Sequence, residues 1–463
     1  MFKKDSNFNL CLASDSYKYS HAKQYQPGTT QVYSYFESRG GKFSSTVFFG
    51  LQYYLKRYLE GTVVTRDKID EAQELIDAHL GPGLFNRAGW EYILEAHNGK
   101  LPVCIKAVPE GTIVPTHNVL MTIENTDPNC WWLTNYLETM LVQVWYPTTV
   151  CTLSNNVRKI ISKFLEETGN PNLIDFKFHD FGYRGVSSQE SAGIGGAAHL
   201  VNFKGTDTIA ALALLKEYYN ADCAGFSIPA SEHSTITSWG REHEVDAFEN
   251  MLKQYPTGLV ACVSDSFDIF KACENLWGGK LKEKVLSRDG TLVIRPDSGD
   301  PVETVMTVLG ILGDKFGYSL NEKGYRVLDP HVRVIQGDGV DINEVDKILR
   351  IMQVCGWSAD NIAFGCGGAL LQKLNRDTQK FAFKCSSVIV DGVVRDVYKD
   401  PITDIGKISK RGRFALEKID SEFITTNNEH SADNRLTTVF ENGVVYNEQS
   451  LDEIRKRTLN GNF

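Results

Sequence analysis

The sequence predicts an α/β protein with a β/α barrel in its middle and a second, mixed α+β domain built from both chain ends. Repetition predicts the barrel: from residue 146 to residue 380, short apolar runs end in polar or glycine-rich loops, and a helical pattern follows each loop. Seven such units in succession favour parallel strands with right-handed crossovers, and that number favours a closed barrel over an open sheet. Hairpin signals after residue 380 predict that the end of the chain returns to the first domain.

Local patterns predict the individual elements. In the first domain, Val32 to Glu37 alternates like a strand, and Trp131 to Val144 is strongly apolar like a buried helix. An Asp391-Gly392 turn signal separates two apolar runs and predicts a hairpin. The predicted barrel strands are 177–181, 201–203, 226–228, 259–263, 292–294, 332–335 and 362–364. The predicted domains are 1–145, the first part of the α+β domain; 146–380, the barrel; and 381–463, a return segment that completes the first domain.

Composition and charge exclude several classes of protein. The 463 residues are 42% hydrophobic and 23% charged, which is typical of a soluble globular protein. The formal net charge of −9 argues against nucleic acid as the principal partner. No stretch approaches the length of a membrane span and no signal sequence is evident, so we expect a cytoplasmic protein. The ten cysteines form no C-x-x-C pair, which favours reduced thiols over disulfides or a zinc site.

The stretch from Gly225 to Trp239 contains a candidate catalytic residue, His233. It reads as a strand end that runs into a helix start, which would put this histidine at the mouth of the barrel. The adjacent carboxylate of Glu232 would bias its protonation. Helix capping explains the same residues when the stretch is taken alone.

Charged and glycine-rich loops recur in the other units. Each such residue alone is equally a helix cap or a turn residue, Asp207 and Asp297 included. Because the carboxyl ends of barrel strands meet at one rim, their recurrence favours a site for a polyanion held with a metal ion. The glycines would let backbone N–H groups approach phosphate oxygens closely. The residues predicted at the rim are Asp207, Glu232, His233, Arg295, Asp297, Asp338, Asp341 and Arg376, with Gly337, Gly339, Gly365, Gly367 and Gly368.

Seven motifs follow one another along the chain. They are Asp15-Ser-Tyr-Lys, His179-Asp-Phe-Gly-Tyr-Arg-Gly, Lys204-Gly-Thr-Asp, Pro229-Ala-Ser-Glu-His-Ser-Thr, Ile294-Arg-Pro-Asp-Ser-Gly, Ile335-Gln-Gly-Asp-Gly-Val-Asp and Gly365-Cys-Gly-Gly. Together they resemble the nicotinamide phosphoribosyltransferase family, in order and over nearly the whole length. The resemblance rests on all seven motifs together and not on any single short one. It implies the fold of the type II phosphoribosyltransferases.

The resemblance implies an enzyme of NAD salvage. It would join nicotinamide to 5-phosphoribosyl 1-pyrophosphate and release nicotinamide mononucleotide and pyrophosphate, with Mg²⁺. It would also couple this transfer to ATP hydrolysis through a phosphorylated histidine, which here is His233. The family resemblance further implies a homodimer with active sites at the subunit interface.

Matching motifs carry roles over to single residues. Phe181 and Tyr17 would sandwich the pyridine ring, with Tyr17 coming from the partner subunit. Asp207 would accept from the carboxamide N–H, and Arg295 would donate to its carbonyl oxygen. Asp297 would stand near the ribose, where departure of pyrophosphate develops oxocarbenium character. Further implied substrate contacts are Arg184, Ser227, Ser264, Asp338 and the backbone at Gly337, Gly367 and Gly368; implied phosphate contacts are Arg39, Arg376, Lys384, Lys399 and Lys407.

Some points stay open at the level of sequence. Substrate phosphates would hold Mg²⁺, with Asp265 and Asp268 as weaker candidates for contacts to the metal or the histidine. Ala382 stands where relatives often carry a phosphate-contacting serine, and Cys366 replaces a serine between glycines, so those contacts are in doubt. The segment Gly40 to Ser45 is shorter than the matching loop of some relatives.

Two other functions compete with this interpretation. The first is nicotinate phosphoribosyltransferase, against which Asp207 argues because two carboxylates at hydrogen-bonding distance repel each other unless one is protonated. The second is a non-catalytic binding or signalling protein on the same scaffold, since a fold does not determine a function. The retained set of His233, Asp297 and Arg295 argues against that second alternative.

Overall fold

The computed structural model describes residues 2, 4, 7–403, 408–420 and 422–460. The chain divides into two compact units, and each is described by itself. The first unit comprises Met1–Thr152, Ala213–Asp222 and Asn375–Phe463, and the second comprises Leu153–Leu212 and Cys223–Leu374. These bounds lie a few residues from the predicted limits at 145 and 380, and a short segment within the predicted barrel belongs to the first unit.

Nineteen strands and sixteen α-helices occur in the described residues. The strands are β1 Thr29–Ser38, β2 Ser45–Val47, β3 Val103–Ala107, β4 Ile113–Pro115, β5 Val119–Asn125, β6 Phe178–Asp180, β7 Gly205–Thr206, β8 Val260–Val263, β9 Leu292–Arg295, β10 Tyr318–Leu320, β11 Arg326–Leu328, β12 Val332–Gln336, β13 Ile362–Cys366, β14 Phe381–Val390, β15 Val393–Asp396, β16 Ala415–Ile419, β17 Glu422–Thr426, β18 Thr437–Glu441 and β19 Val444–Val445. The α-helices are α1 Leu51–Tyr54, α2 Arg66–Leu80, α3 Arg87–Ala96, α4 Leu133–Tyr136, α5 Glu138–Leu141, α6 Trp145–Thr168, α7 Gln189–Leu200, α8 Ile209–Tyr218, α9 His233–Thr237, α10 Glu244–Gln254, α11 Ile269–Lys271, α12 Lys282–Leu286, α13 Pro301–Phe316, α14 Ile342–Val354, α15 Gly368–Leu371 and α16 Leu451–Asn460. Short 3₁₀ and π turns occur between them.

The first unit is organised around a seven-stranded antiparallel sheet with strand order β15-β14-β1-β5-β3-β18-β19. The end of the chain supplies four of these strands, and β14 pairs along almost the whole of β1. The hairpin turn at Asp391 and Gly392 has positive φ angles of 51° and 77°. Both central residues of a two-residue hairpin turn of this kind need positive φ, which is why the Asp-Gly signal predicted the turn.

The predicted helix from Trp131 to Val144 is not continuous. It consists of α4, α5 and a 3₁₀ turn at Val142–Val144. Residues such as Leu133, Leu137 and Leu141 are nevertheless fully buried. The apolar run therefore reflects burial, which single short turns satisfy as well as one long helix does.

The second unit contains a parallel sheet with strand order β7-β6-β13-β12-β9-β8. The segment 226–230 closes it, because Phe226 exchanges hydrogen bonds with the β7 region and Pro229 accepts from Ala261 of β8 at 2.9 Å. Seven parallel segments thus follow one another around a closed ring in chain order. The prediction of a β/α barrel is confirmed, and each crossover carries helical segments outside the ring.

One predicted barrel strand was wrong. The apolar run 201–203 follows α7 directly, and the strand β7 lies just beyond it. Phe203 is buried because its ring packs at 5.5 Å from Phe178 and 5.3 Å from His199. A short buried run has the same sequence pattern in a helix end as in a strand.

One layer of apolar side chains projects into the barrel interior. Ala261, Val293 and Ile335 form its buried centre, and partly buried side chains from three other strand segments pack against them: Phe181, Ile228 and Ala363. Each of the six comes from a different segment of the ring. This layer supports the loops at the carboxyl ends of the strands.

No α-helix among the described residues is both long and apolar enough to span a membrane.

Candidate active site

The carboxyl ends of the barrel strands border a cavity of about 1100 Å³ in the second unit. This barrel cavity continues through the ring of strands to residues near the amino ends of the strands, such as Lys177 and Arg333. It is therefore larger than a ligand with one small aromatic ring needs. Six residues predicted from sequence line it: Phe181, Arg184, Asp207, Ser227, Glu232 and Arg295.

Phe181 directly follows β6, and its ring lies against the backbone of the neighbouring strand. Its N–H donates to the carbonyl of Cys366 at 2.9 Å. A Cβ atom on Gly365 would lie 1.9 Å from the Phe181 ring, so only glycine leaves room for the ring. A Cβ atom on Gly337 would lie 3.5 Å from the same ring and 3.8 Å from Arg295. The aromatic face and the guanidinium therefore flank one glycine at the mouth of the barrel.

Asp207 lies in the loop after β7 with an exposed side chain. Its Oδ1 atom accepts a hydrogen bond from the hydroxyl of Ser227, and its N–H donates to the carbonyl of Asp180 at 2.9 Å. The carboxylate is thus held by two neighbouring strand segments and keeps Oδ2 for another donor. An amide N–H is a donor of the right kind.

His233 is the first residue of α9, and its ring is about half exposed. The Nε2 atom lies 3.4 Å from Asp297 Oδ2 and 3.6 Å from Asp265 Oδ1. The Nδ1 atom lies 3.1 Å from the hydroxyl of Ser266. The ring is therefore oriented with one nitrogen toward two carboxylates and the other toward a hydroxyl, which is the arrangement that selects a histidine tautomer.

Arg295 and Asp297 extend this arrangement. Arg295 Nη1 donates to Asp297 Oδ1 at 3.1 Å, and the N–H of Asp297 donates to Asp265 Oδ2 at 3.0 Å. Asp265 is almost completely buried, and the hydroxyl of Ser298 also donates to it. A chain of contacts therefore joins the guanidinium, two carboxylates and the imidazole of His233.

Two predicted residues stand outside this chain. Glu232 lines the cavity, but its carboxylate accepts from Ser234 and the carboxylates that face His233 are Asp265 and Asp297. Asp268 caps α11 through the N–H of Lys271 at 3.0 Å, and this hydrogen bond holds the pKa of the carboxyl below its ordinary value. The expectation that Glu232 biases the histidine is therefore corrected.

Ser264 and Cys366 are turned away from the cavity. The hydroxyl of Ser264 is buried, where it donates to the carbonyl of Cys262 at 3.0 Å and accepts from Trp277 at 3.0 Å. Its side chain has no free group for a substrate. Cys366 is also buried, with Sγ 3.1 Å from the carbonyl of Val340, and burial raises the pKa of its thiol to about 12.

The glycine loops occupy two neighbouring strand ends. Gly337 is followed by exposed Asp338, whose carbonyl accepts from Gln336 at 2.8 Å. Gly367 and Gly368 stand at the start of α15, and a Cβ atom on Gly368 would meet nothing within 4 Å. A Cβ atom on Gly185 would lie 3.5 Å from the Gly368 nitrogen, so the loop that carries Arg184 is adjacent.

A second cavity, of about 510 Å³, lies in the first unit. We call it the basic pocket; the cationic side chains that line it are Arg39, Arg376, Lys380, Lys384 and Lys399. Burial lowers the pKa of Lys384, and the positive charges of Arg39, Lys399 and Arg376 lower it further. Crowding of like charges around a partly buried lysine is typical of a site for an anion. The structure thus brings four predicted phosphate contacts together, with Ala382 on the same wall.

Tyr17 and Lys407 complete the predicted set. Tyr17 belongs to the 3₁₀ turn Ser16–Lys23 of the first unit, where its ring is 60% exposed. Partial burial raises the pKa of its hydroxyl, and so does the charge of Glu138, which also lines the basic pocket. Lys407 lies outside the described residues.

The predicted metal candidates do not form a cage for Mg²⁺. Asp265 is hydrogen-bonded to the Asp297 loop and Asp268 caps a helix, so they share no open ligand site. Within the described ranges, the one cluster of three ligand-type side chains is His97, Asp127 and Cys130 of the first unit. The Asp127 carboxylate there already accepts from the N–H of Asn129 and the hydroxyl of Tyr92, and it pairs with His97 at 2.8 Å.

Two polar residues at strand ends were missed by the sequence reasoning. Ser266 contacts His233, and Asp180 joins the loops of Phe181 and Asp207. Both stand within three residues of an apolar strand, as the predicted site residues do. That position was the signal for Ser266, and Asp180 also lies in the motif His179-Asp-Phe-Gly-Tyr-Arg-Gly.

Family models match two parts of the chain. Residues 176–444 match the nicotinate phosphoribosyltransferase (NAPRTase) family, and residues 9–105 match the N-terminal domain of nicotinamide phosphoribosyltransferase. The second match supports the nicotinamide branch, because it covers a domain named for that enzyme.

Curated relatives carry the same name. The chain is 52% identical over 459 residues to the nicotinamide phosphoribosyltransferase of Xanthomonas campestris pv. campestris, covering 96% of this chain and 97% of the relative. It is 32% identical to the nicotinamide phosphoribosyltransferase of Acinetobacter baylyi, with 97% of each chain covered.

Two solved structures share the fold. The nicotinate-nucleotide pyrophosphorylase of Pyrococcus furiosus superposes with a TM-score of 0.61 at 16% identity, covering 98% of this chain and 95% of that one. The human nicotinic acid phosphoribosyltransferase superposes with a TM-score of 0.59 at 14% identity, covering 96% and 93%. Both likenesses agree with a type II phosphoribosyltransferase fold.

Proposed function

Since this chain belongs to the nicotinamide phosphoribosyltransferase family, we propose that it transfers the phosphoribosyl group of 5-phosphoribosyl 1-pyrophosphate to nicotinamide. The products are nicotinamide mononucleotide and pyrophosphate, which makes it an enzyme of NAD salvage. One observation carries the proposal: Phe181, Asp207 and Arg295 line one cavity, with an aromatic face, a free acceptor and a donor.

These three groups suit nicotinamide. The pyridine ring packs on the face of Phe181, which adds to the free energy of apolar burial. Asp207 accepts from the carboxamide N–H, and Arg295 donates to the carboxamide oxygen. Nicotinate would set its own carboxylate against Asp207, and the repulsion would have to be relieved by a proton. The arrangement therefore favours the amide over the acid.

Asp297 supports the transfer itself. The pyridine nitrogen forms a bond to the anomeric carbon of the ribose as the bond from that carbon to pyrophosphate breaks. Positive charge develops on the ribose in such a step, and a nearby carboxylate stabilises it. Arg295 holds Asp297 at 3.1 Å, so the carboxylate is already oriented before substrate arrives.

We propose that His233 takes a phosphoryl group from ATP. Its exposed ring is reachable, and Asp265 and Asp297 can hold a proton at Nε2 while Nδ1 serves as the nucleophile. A phosphoryl group would bring negative charge next to these carboxylates, which changes the balance of charges at the mouth of the barrel. That change is the coupling we propose between ATP and the transfer.

The phosphates of both substrates need counter-charges. The described carboxylates form no cage for Mg²⁺, so we expect the ion to arrive with the substrate phosphates, where it neutralises the charge of the departing pyrophosphate. The basic pocket supplies arginine and lysine side chains suited to phosphate. We propose phosphate binding there, together with a homodimer in which Tyr17 of the partner subunit covers the second face of the pyridine ring, and a cytoplasmic location.

The test measures nucleotide formation from Mg²⁺ and phosphoribosyl pyrophosphate with nicotinamide or nicotinic acid, each with and without ATP. We expect product from nicotinamide, increased by ATP. Product from nicotinic acid alone would assign the chain to the other branch, and no product from either would exclude the transfer. His233→Ala is the matched variant, and we expect it to retain transfer without stimulation by ATP.

A further inference from the structure

Asp180 stands at the end of β6, immediately before Phe181, and is completely buried. Its Oδ1 atom accepts from the N–H of Gly182 at 2.7 Å, and its backbone carbonyl accepts from the N–H of Asp207 at 2.9 Å. One residue therefore contacts both the turn that carries the aromatic face and the loop that carries the carboxamide acceptor.

The other carboxylate oxygen, Oδ2, is buried and, in the part of the chain that the structure describes, accepts no hydrogen bond of normal geometry. Burial raises the pKa of the carboxyl to about 6, and the Asp207 charge acts in the same direction, while the Gly182 N–H and the hydroxyls of Thr208 and Thr206 act against it. A carboxylate buried in this way costs stability where an apolar residue would not.

Helix α7 leaves room for the carboxylate. A Cβ atom on Gly196 would lie 3.0 Å from Asp180 Oδ2 and 2.8 Å from the Cβ atom of Ala211. Gly182 is confined in the same way, because a Cβ atom there would lie 2.6 Å from Leu371 and 3.0 Å from Asp180 Oδ1. The surroundings therefore fit a carboxylate in this orientation closely.

We propose that Asp180 is a positioning residue for the pyridine pocket: its carboxylate holds the Gly182 turn, and that turn sets the ring of Phe181 against Gly365. The proposal rests on the proposed function. Asp180 is not among the residues that line the barrel cavity, so it acts through Phe181 and Asp207. Loss of the hydrogen bond from the Gly182 N–H to Asp180 lets the turn move, and the Phe181 ring is then held less firmly. The residues that contact the substrate phosphates are unaffected.

The experiment compares KM values for nicotinamide and for phosphoribosyl pyrophosphate in four variants of the full chain. We expect Asp180→Ala to raise KM for nicotinamide about tenfold, the factor that corresponds to one lost hydrogen bond at a buried donor. KM for phosphoribosyl pyrophosphate should stay within about twofold. Asp180→Asn keeps an acceptor for Gly182 and should restore most of the affinity for nicotinamide.

Thr168→Val is the matched control. The hydroxyl of Thr168 is buried in the same unit and accepts from the N–H of Ala359 at 3.0 Å, but it does not line the barrel cavity. This variant should lose thermal stability without a change in either KM. If Asp180→Ala fails to fold, Asp180→Glu keeps the charge but moves the acceptor by one methylene, and it should raise the same KM.

The outcomes separate the two proposals. An active wild-type protein with an unchanged KM for nicotinamide in Asp180→Ala, or in folded Asp180→Glu, overturns the positioning role alone. Equal changes in both KM values, or the same changes in Thr168→Val, also overturn it because they indicate a general loss of structure. A wild-type protein that forms no product overturns the proposed function and this inference with it.

Discussion

In the second unit, polar residues at the mouth of the barrel cavity, such as Asp207, Glu232 and Arg295, come from the ends of different parallel strand segments or from the loops that follow them. In the first unit, the basic pocket joins Arg39 on the end of β1 to Arg376, Lys384 and Lys399 from the other end of the chain. The pairing of β1 with β14 brings these two ends together. Near Phe181, the barrel cavity is lined by uncharged side chains and by isolated charges of both signs, such as Asp207 and Arg295. In the basic pocket, cationic side chains outnumber carboxylates.

This difference separates two kinds of binding. The barrel cavity selects by shape and by a few oriented hydrogen bonds, so small displacements there should have large effects. The basic pocket attracts by charge, and several cations share that role, so single losses there should have smaller effects. Five substitutions, in order of decreasing effect, test the comparison.

Gly365→Ala should have the largest effect. Its Cβ atom would lie 1.9 Å from the Phe181 ring, so the ring must move. We expect kcat/KM for nicotinamide to fall about a hundredfold, the loss that a displacement of about 1 Å can produce. Gly310→Ala is the control, because its Cβ atom would meet nothing within 4 Å in α13. Full activity in Gly365→Ala would show that the ring position does not matter.

Asp297→Asn should follow. The variant keeps the size of the side chain but loses the charge that faces Arg295 and His233. We expect kcat to fall up to about a hundredfold, the lower end of the range for groups aimed at charge that develops in the transition state. Asp300→Asn, at the cap of α13, is the control and should retain kcat. A rise in KM with an unchanged kcat would instead indicate a role in ground-state binding.

Lys384→Ala should have an intermediate effect on the basic pocket. We expect KM for phosphoribosyl pyrophosphate to rise roughly tenfold at low salt, and less at high salt because ions screen the charge. The pKa of Lys384 lies below its ordinary value, so wild-type affinity should fall as pH rises through that lowered pKa. Lys56→Ala, which removes an exposed ion pair in the same unit, is the control. An affinity independent of salt would exclude this pocket as the phosphate site.

The smallest effects should come from the two departures from the family pattern. Cys366→Ser should change kcat/KM less than about threefold, because a hydroxyl can replace the buried thiol as donor to Val340. In the wild-type protein, the high pKa of the Cys366 thiol also predicts that iodoacetamide leaves this residue unmodified at neutral pH. Ala382→Ser, in the basic pocket, should lower KM for phosphoribosyl pyrophosphate slightly. A large effect of either substitution would show that the departure matters for function.

Much of the barrel site could be read from the sequence because its units repeat. Each strand end is marked by a polar loop, and parallel strands place those loops at one rim. Asp207, Arg295 and Asp297 were therefore predicted together, whereas the role of Phe181 was implied only by the family resemblance. The partners of His233 were predicted only in part: Asp265 was a weaker candidate, whereas Ser266 and Asp297, which are adjacent in space, were missed in favour of Glu232, which is adjacent in sequence.

Local sequence patterns were sufficient to predict the class of fold, six of the seven barrel strand segments, the hairpin turn at Asp391-Gly392 and the polar side chains at the strand ends. These are local properties, set by periodicity and by residues such as Gly392 that permit special backbone angles. Only the tertiary structure decided how 226–230 closes the barrel, which carboxylates face His233, and that Asp180 is buried beneath the Phe181 turn. Those outcomes depend on contacts between residues far apart in the chain, and the free energy of such contacts comes from packing and charge in three dimensions.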